Sequence, residues 1–245
     1  MRLIARFDIK GNQIIKPIRY DGLRPCSMGI SAIKNAQDAF YDEIHINNVV
    51  ASLFGSEPSY DVLKLARSLC QLPIIFSGGL DSTSRVNMAF AQGADRISLG
   101  SIVYRCHSVA KEAIATYGSQ AIIHTITVAR ENHNQYKCLH TCAREFSGYY
   151  LEEYLISIQH IGFGEIIIVD SQRDGTMSGF DPDLIAFLSN VTTSYEITLS
   201  GGFCDRNDIE ACKMSGSISA ISLSSAFAVS DRQFVPSVGD SERLS

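Results

Sequence analysis

Short runs rich in β-branched residues alternate along the chain with longer stretches whose apolar residues recur every three or four positions. The runs predict strands at Leu3–Asp8, Glu43–Val50, Leu72–Ser77, Arg96–Leu99, Ala121–Thr127, Glu165–Asp170, Glu196–Ser200 and Ala220–Leu223. The longer stretches predict helices near residues 30–40, 60–70, 83–93, 107–116, 149–161, 182–190 and 205–214. Strands that alternate with helices predict a parallel sheet. At 245 residues the pattern fits a (β/α)8 barrel, which takes about 250 residues. The reading is one barrel domain over 1–245, with an atypical polar tail at 229–245 in place of a convincing eighth helix. A doubly wound open sheet is the alternative, but it carries a G-x-G-x-x-G turn after its first strand, and Gly11-Asn-Gln does not supply one.

An internal repeat separates the two. Pro73-Ile-Ile-Phe-Ser-Gly-Gly-Leu-Asp-Ser matches Glu196-Ile-Thr-Leu-Ser-Gly-Gly-Phe-Cys-Asp, and each leads to a second strand, Asp95-Arg-Ile-Ser-Leu-Gly-Ser and Ser219-Ala-Ile-Ser-Leu-Ser-Ser. Glu43-Ile-His-Ile-Asn-Asn-Val likewise matches Glu165-Ile-Ile-Ile-Val-Asp-Ser. Ser77 and Ser200 are 123 residues apart, Glu43 and Glu165 are 122 apart, and both offsets lie within one residue of half of 245. Two similar half-barrels follow.

Composition narrows the function classes. Hydrophobic residues at 45% and charged residues at 19% supply a full core, which excludes a disordered chain. A net charge of −5 lacks the basic face that counterion release needs, so nucleic acid is not the expected partner. There is no apolar run long enough for a membrane span, and the N-terminus reads as a charged strand rather than a signal peptide. A soluble cytoplasmic location is expected. The seven cysteines are scattered and read as reduced thiols. Cys138-Leu-His140-Thr-Cys142 has ligand types at close spacing, but no second pair matches it, and no metal or cofactor is expected.

Barrel active sites sit at the C-terminal strand ends. There, Gly78-Gly79 and Gly201-Gly202 bring backbone N–H groups close to an oxygen, and the following helix starts add positive dipole ends. A second small-residue turn adjoins each, Gly100-Ser101 and Ser224-Ser225. The arrangement predicts a substrate with a phosphate at each end. Tight turns without a ligand are the plainer reading of any one of them.

The repeat, the first strand Phe7-Asp8-Ile-Lys10 with Ile14-Ile15-Lys16 after it, and Gly164-Glu-Ile-Ile-Ile-Val-Asp-Ser-Gln-Arg-Asp174-Gly-Thr-Met-Ser-Gly-Phe-Asp181 resemble the cyclase (HisF-type) subunit of imidazole glycerol phosphate synthase. The resemblance runs from about residue 1 to 228, and the Arg-Asp-Gly-Thr segment is its most specific part. It implies a subunit that takes ammonia from a glutaminase-type amidotransferase docked on the N-terminal barrel face and uses it on a two-phosphate ribonucleotide. It also implies general acid–base carboxylates on strands 1 and 5, with a loop lysine nearby. These positions are Asp8, Thr127 and Lys16, and Asp174, Gly175 and Thr176 belong to the same mouth.

Thr127 departs from that pattern, because a hydroxyl does not exchange a proton near neutral pH as a tuned carboxylate does. Asn48 and Gln172 also stand where the family has aspartates. At the opposite face, Arg2, Glu43, Arg96 and Glu165 match the ring around the ammonia entrance, with a salt-bridge plug as the alternative reading. Strand alternation points Arg6 inward above this ring and places His45 and Asn47 above Glu43, so the interior is more polar than the family's mostly apolar channel. His107, His124 and His160 read as structural. Three functions follow from the resemblance. The first is a diverged ammonia-using synthase subunit, such as one that amidates nucleotide-linked acetamido sugars. The others are an ordinary histidine-pathway cyclase and a subunit without turnover.

Overall fold

The computed structural model describes residues 1–224 other than 27, 28, 30, 40 and 134. The tail, including Ser225, lies outside the described residues. The first six strands are β1 (Arg2–Lys10), β2 (Gln13–Ile18), β3 (Asp21–Pro25), β4 (Glu43–Asn48), β5 (Ile74–Ser77) and β6 (Arg96–Leu99). The next six are β7 (Ile122–Asn132), β8 (Gln135–His140), β9 (Glu145–Tyr150), β10 (Glu165–Asp170), β11 (Glu196–Ser200) and β12 (Ala220–Leu223). Eight of them close a parallel barrel in the order β1, β4, β5, β6, β7, β10, β11, β12, and β12 pairs again with β1. Closure removes the doubly wound alternative.

Helices α1 (Ala32–Asp38), α2 (Ala51–Phe54), α3 (Tyr60–Leu69), α4 (Thr83–Ala91) and α5 (Ile102–Arg105) lie in the first half. Helices α6 (Ser108–Tyr117), α7 (Leu151–Ile158), α8 (Pro182–Asn190) and α9 (Arg206–Ser215) follow. The seven expected helices are all present, and α2 and α5 are added single turns. No helix of the described residues is long and apolar enough to cross a membrane.

Each barrel strand is covered on both faces, which is why Glu165-Ile-Ile-Ile-Val-Asp170 is buried along its whole length. Ile44, Ile46, Phe76, Ile97, Ile126 and Ile166 point outward into the main core beneath the helices. The inward set is smaller, with Ile4, Ile75, Ile123, Ile167, Val169 and Ala220 forming a separate apolar cluster inside the barrel. Above it the interior turns polar, with Arg6, His45, Ser77, Ser98, Ser200 and Ser222 all buried.

Four strands need corrected boundaries, the first running Arg2–Lys10 rather than 3–8. The expected strand at 43–50 stops at Asn48, the one at 72–77 begins at Ile74, and the one ending at Thr127 runs on to Asn132. The last has a plain cause. Its neighbour β10 ends at Asp170, but β8 folds back antiparallel and continues the ladder, pairing Val128 with Cys138, while β9 pairs with β8. A second hairpin, β2–β3, projects from β1. Its turn residues Arg19 and Tyr20 both have positive φ, 52° and 60°, without the glycine or asparagine that such tight turns favour.

Candidate active site

The mouth is organised by Arg6. Period-two alternation along β1 turns Arg6 and Asp8 to the same inner face. Both are buried, at 3% and 2% exposure. The guanidinium donates from Nε to Asp8 Oδ1 at 3.1 Å, from Nη2 to Asp8 Oδ2 at 2.9 Å and to Asp174 Oδ2 at 2.7 Å, and from Nη1 to Ser200 Oγ at 3.0 Å. Asp8 also accepts from Asn47 Nδ2 at 2.7 Å. One arginine therefore serves two buried carboxylates, and Asp8 is engaged on both oxygens. Burial pushes the Asp174 carboxyl above the usual range, with Arg6 pulling against it.

Among the described residues no hydrogen bond or ion pair joins the three expected catalytic positions to one another. Thr127 faces the barrel interior and lies near the phenol of Tyr20. The β2–β3 hairpin carries that phenol. Its turn is docked by the Arg19 N–H donating to Asp174 O at 2.8 Å, and Gly175 lies against Pro17. Tyr20 packs on the inner apolar cluster, and burial and Asp174 raise its pKa. Lys16 is on the same hairpin opposite Arg24, and burial lowers its pKa. Among the described residues no hydrogen bond or ion pair joins Lys16 to Asp8. Thr176 donates to Arg173 O at 2.7 Å and supports its own turn. Asn48 is bound to backbone, donating to Ser77 O at 3.2 Å and accepting from the Ser59 N–H at 3.0 Å.

The two Ser-Gly-Gly turns repeat each other in detail. Gly78 and Gly201 have φ of 89° and 94°, and a side chain at either would run into the backbone of the preceding barrel strand, at Asn48 and Asp170. Only glycine fits both the conformation and the approach. The surroundings differ from the sequence expectation. The Gly79 N–H donates to Ser52 Oγ at 3.1 Å, and Ser101 Oγ accepts from the Thr141 N–H at 3.2 Å. At the second turn the start of α9 is capped by Asp205 and Asp208, so acidic side chains already hold the dipole end expected to face a phosphate. Gly202 O accepts from the Gly179 N–H at 2.8 Å, Gly100 precedes α5, and Ser224 ends the described chain.

A cavity of about 110 Å³ runs from the barrel interior to the first of these turns, lined by Arg6, His45, Ser77, Gly79, Ser101 and Thr127 among others. The β8–β9 turn reaches over its rim, where Cys142 Sγ donates to Val49 O at 2.9 Å. His140 Nδ1 lies 2.7 Å from Thr141 Oγ1, and Cys138 is buried, so the three clustered ligand types point to separate partners. His124 bridges Leu99 O and the Tyr154 hydroxyl, and burial lowers its pKa to about 4.

At the floor, Arg2, Glu43, Arg96 and Glu165 form a closed ring of alternating charge. Arg2 pairs with Glu43 and, at 2.9 Å, with Glu165; Arg96 pairs with Glu165 at 2.6 Å and with Glu43 at 3.1 Å. Glu165, at 0% exposure, also accepts from the Thr198 hydroxyl. Burial pushes Glu165 up, but Arg96, Thr198 and Arg2 outweigh it and hold the carboxyl below its ordinary range.

The model of the family described as histidine biosynthesis protein matches residues 2–231. The chain belongs to that family. It is 26% identical over 202 residues to the imidazole glycerol phosphate synthase subunit HisF of Chlorobium luteolum, covering 82% of this chain and 79% of that protein. It is 27% identical over 209 residues to the subunit of the same name from Legionella pneumophila, covering 82% of this chain and 95% of that one. The Staphylococcus carnosus subunit gives 26% over 204 residues, with 82% and 79% covered. This is the similarity of a divergent relative within the family.

Two features of this member's mouth escaped the sequence reading. Asp170, at the end of β10, is buried, and this raises its pKa to about 6. Its only sequence signal is a carboxylate closing an otherwise apolar strand. Tyr20 carried no signal, because nothing local says that a hairpin will fold over the mouth.

Proposed function

We propose that the chain is an ammonia-using synthase subunit, diverged from the ordinary cyclase. It receives ammonia from a glutaminase-type amidotransferase docked on the barrel floor and adds it to a phosphorylated substrate at the mouth. One contrast carries this reading. The floor keeps a complete four-charge ring, while at the mouth the strand 5 position is Thr127 and Asp8 is tied to Arg6. A subunit that needed no ammonia could close its floor with apolar side chains at lower desolvation cost.

The mouth chemistry follows from its charges. Ammonia that attacks an acetamido carbonyl carbon gains positive charge and must lose a proton, and the carbonyl C–O bond must break, with the oxygen leaving as water, for the amidine to form. Asp174, held above the usual carboxylate range by burial, is the proton acceptor of this reading, while Arg6 occupies both oxygens of Asp8. For phosphate anchoring this reading relies on the Gly78-Gly79 turn, which opens onto the cavity, since Asp205 and Asp208 already cap the helix behind Gly201-Gly202. A phosphorylated acceptor that needs amidation, such as a nucleotide-linked acetamido sugar, suits this site better than a ring closure that requires two proton-exchanging carboxylates. The second reading, an ordinary histidine-pathway cyclase, draws on the names of the relatives.

The test is to supply free ammonium with each candidate substrate and to ask which glutaminase co-purifies with the native protein. Product from the acetamido sugar nucleotide supports the proposal. Robust turnover of the two-phosphate ribonucleotide would promote the second reading, and no product with either, together with no bound glutaminase, leaves the ring as a plug.

A further inference from the structure

Along β4 the inner face presents Glu43, His45 and Asn47 in succession, so His45 stands one layer above the floor ring and one layer below Asp8. It is buried and lines the cavity. A chain of hydrogen bonds fixes its tautomer. Asn47 Nδ2 donates to Asp8 Oδ1 at 2.7 Å, which turns Asn47 Oδ1 toward Ser77. Ser77 Oγ donates its single proton to that oxygen at 2.9 Å. At 2.7 Å from His45 Nε2, Ser77 Oγ has only a lone pair left to offer, so Nε2 carries the ring proton. Nδ1 is then a bare lone pair. It is fully buried and has no hydrogen-bond partner among the described residues.

We propose that His45 Nδ1 is a binding station for neutral ammonia inside the barrel, between the Arg2–Glu43–Arg96–Glu165 ring and the Asp8–Asn47 pair. This rests on the ammonia-using reading above. Ammonia is small, donates hydrogen bonds and suits an acceptor that no protein group satisfies. The charged groups acting on the ring are Arg6 above and Arg96 below. With burial they lower the pKa of His45 to about 3, so the imidazole stays neutral and does not convert ammonia to ammonium. The polar interior then offers a fixed acceptor where a purely apolar channel offers none.

The experiment uses the full chain labelled with 15N-histidine, with His45 assigned by its loss in His45→Leu. Ammonium chloride is titrated at alkaline pH, where free ammonia is present, and at mildly acidic pH, with sodium chloride as the ionic control. The expected result is an unprotonated Nδ1 resonance that moves saturably with ammonia and stays fixed in both controls. Ser77→Ala, which frees the tautomer, should weaken that response about fivefold. A resonance that does not move, one that moves equally with sodium chloride, or a wild-type ring protonated on Nδ1 overturns the proposal. In turnover, His45→Leu should lower glutamine-driven output relative to free-ammonium output about tenfold, and an unchanged ratio in folded protein overturns it. Absence of any ammonium-dependent product in the wild type removes the ammonia-using reading itself, while the ring titration reports on His45 without turnover.

Discussion

The floor and the mouth of this barrel both bury charge, and they balance it differently. At the floor two arginines and two glutamates alternate around a closed circuit, so each buried carboxylate has two cationic neighbours, and the exposed Glu196 adds a third carboxylate to Arg2 at 2.7 Å from the solvent side. At the mouth one arginine faces two aspartates, which leaves the group one negative charge in excess. The consequence is visible in the carboxyls: Glu165 is held below its ordinary range by its partners, whereas burial wins at Asp174 and holds it above. Buried carboxylates each held by two arginines suit a fixed structural element, and two carboxylates sharing one arginine suit proton transfer.

Removing Arg6 breaks the mouth most severely. Arg6→Met leaves Asp8 and Asp174 buried without their cation, and is expected to cost about 3–5 kcal/mol at neutral pH, measured by urea unfolding. The sign with pH follows from linkage. Unpaired buried carboxyls bind protons more readily in the folded than in the unfolded state, so the variant should regain stability as pH falls. A variant as stable as the wild type would show that Arg6 does not hold the site.

At the floor, Glu165→Gln leaves Arg2 and Arg96 each short of one partner. Glu43 remains and Arg2 is partly exposed, so a smaller loss of about 3 kcal/mol is expected, together with glutamine hydrolysis uncoupled from product while free ammonium still works. An unchanged ratio of glutamine-dependent to ammonium-dependent rates would reduce the ring to a plug.

Thr127→Asp probes the missing carboxylate. Turnover of the two-phosphate ribonucleotide, near background in the wild type, should rise by at most about a hundredfold, because Arg6 competes for the new charge. High activity in the unmodified protein would contradict the divergence.

The smallest effect is expected at Asp170. Its folded pKa is raised to about 6 from 3.8. Ionisation above that value therefore costs stability, which returns as pH falls from about 6 toward 4. Asp170→Asn should stabilise the protein by about 2 kcal/mol at pH 7, and the advantage should vanish near pH 4. Parallel pH profiles for the two proteins would show that Asp170 is not held in this state.

Legibility in the sequence followed local periodicity. The eight barrel strands are short β-branched runs, and β6, β10, β11 and β12 begin and end where the pattern changes. Both extra hairpins were missed. In β9 the residues are mostly exposed and show no alternation, and in β2 Pro17 interrupts the run, so neither carries a period-two signal. The four ring residues were named by the family resemblance, which matched charged residues at four strand starts, and alternation was enough to turn Arg6, His45 and Asn47 inward.

What the sequence determined by itself is therefore the type and order of the barrel elements, the half-barrel repeat and which side chains face the interior. These depend on neighbours a few positions away. Only the tertiary structure decided that Arg6 takes both Asp8 and Asp174, that Tyr20 folds over Thr127, and that Ser52, Thr141, Asp205 and Asp208 occupy groups around the Ser-Gly-Gly turns. Those pairings join residues as far apart as 168 positions, from Arg6 to Asp174. They exist only once the barrel has closed, and burial then makes each unpaired charge too costly to leave free.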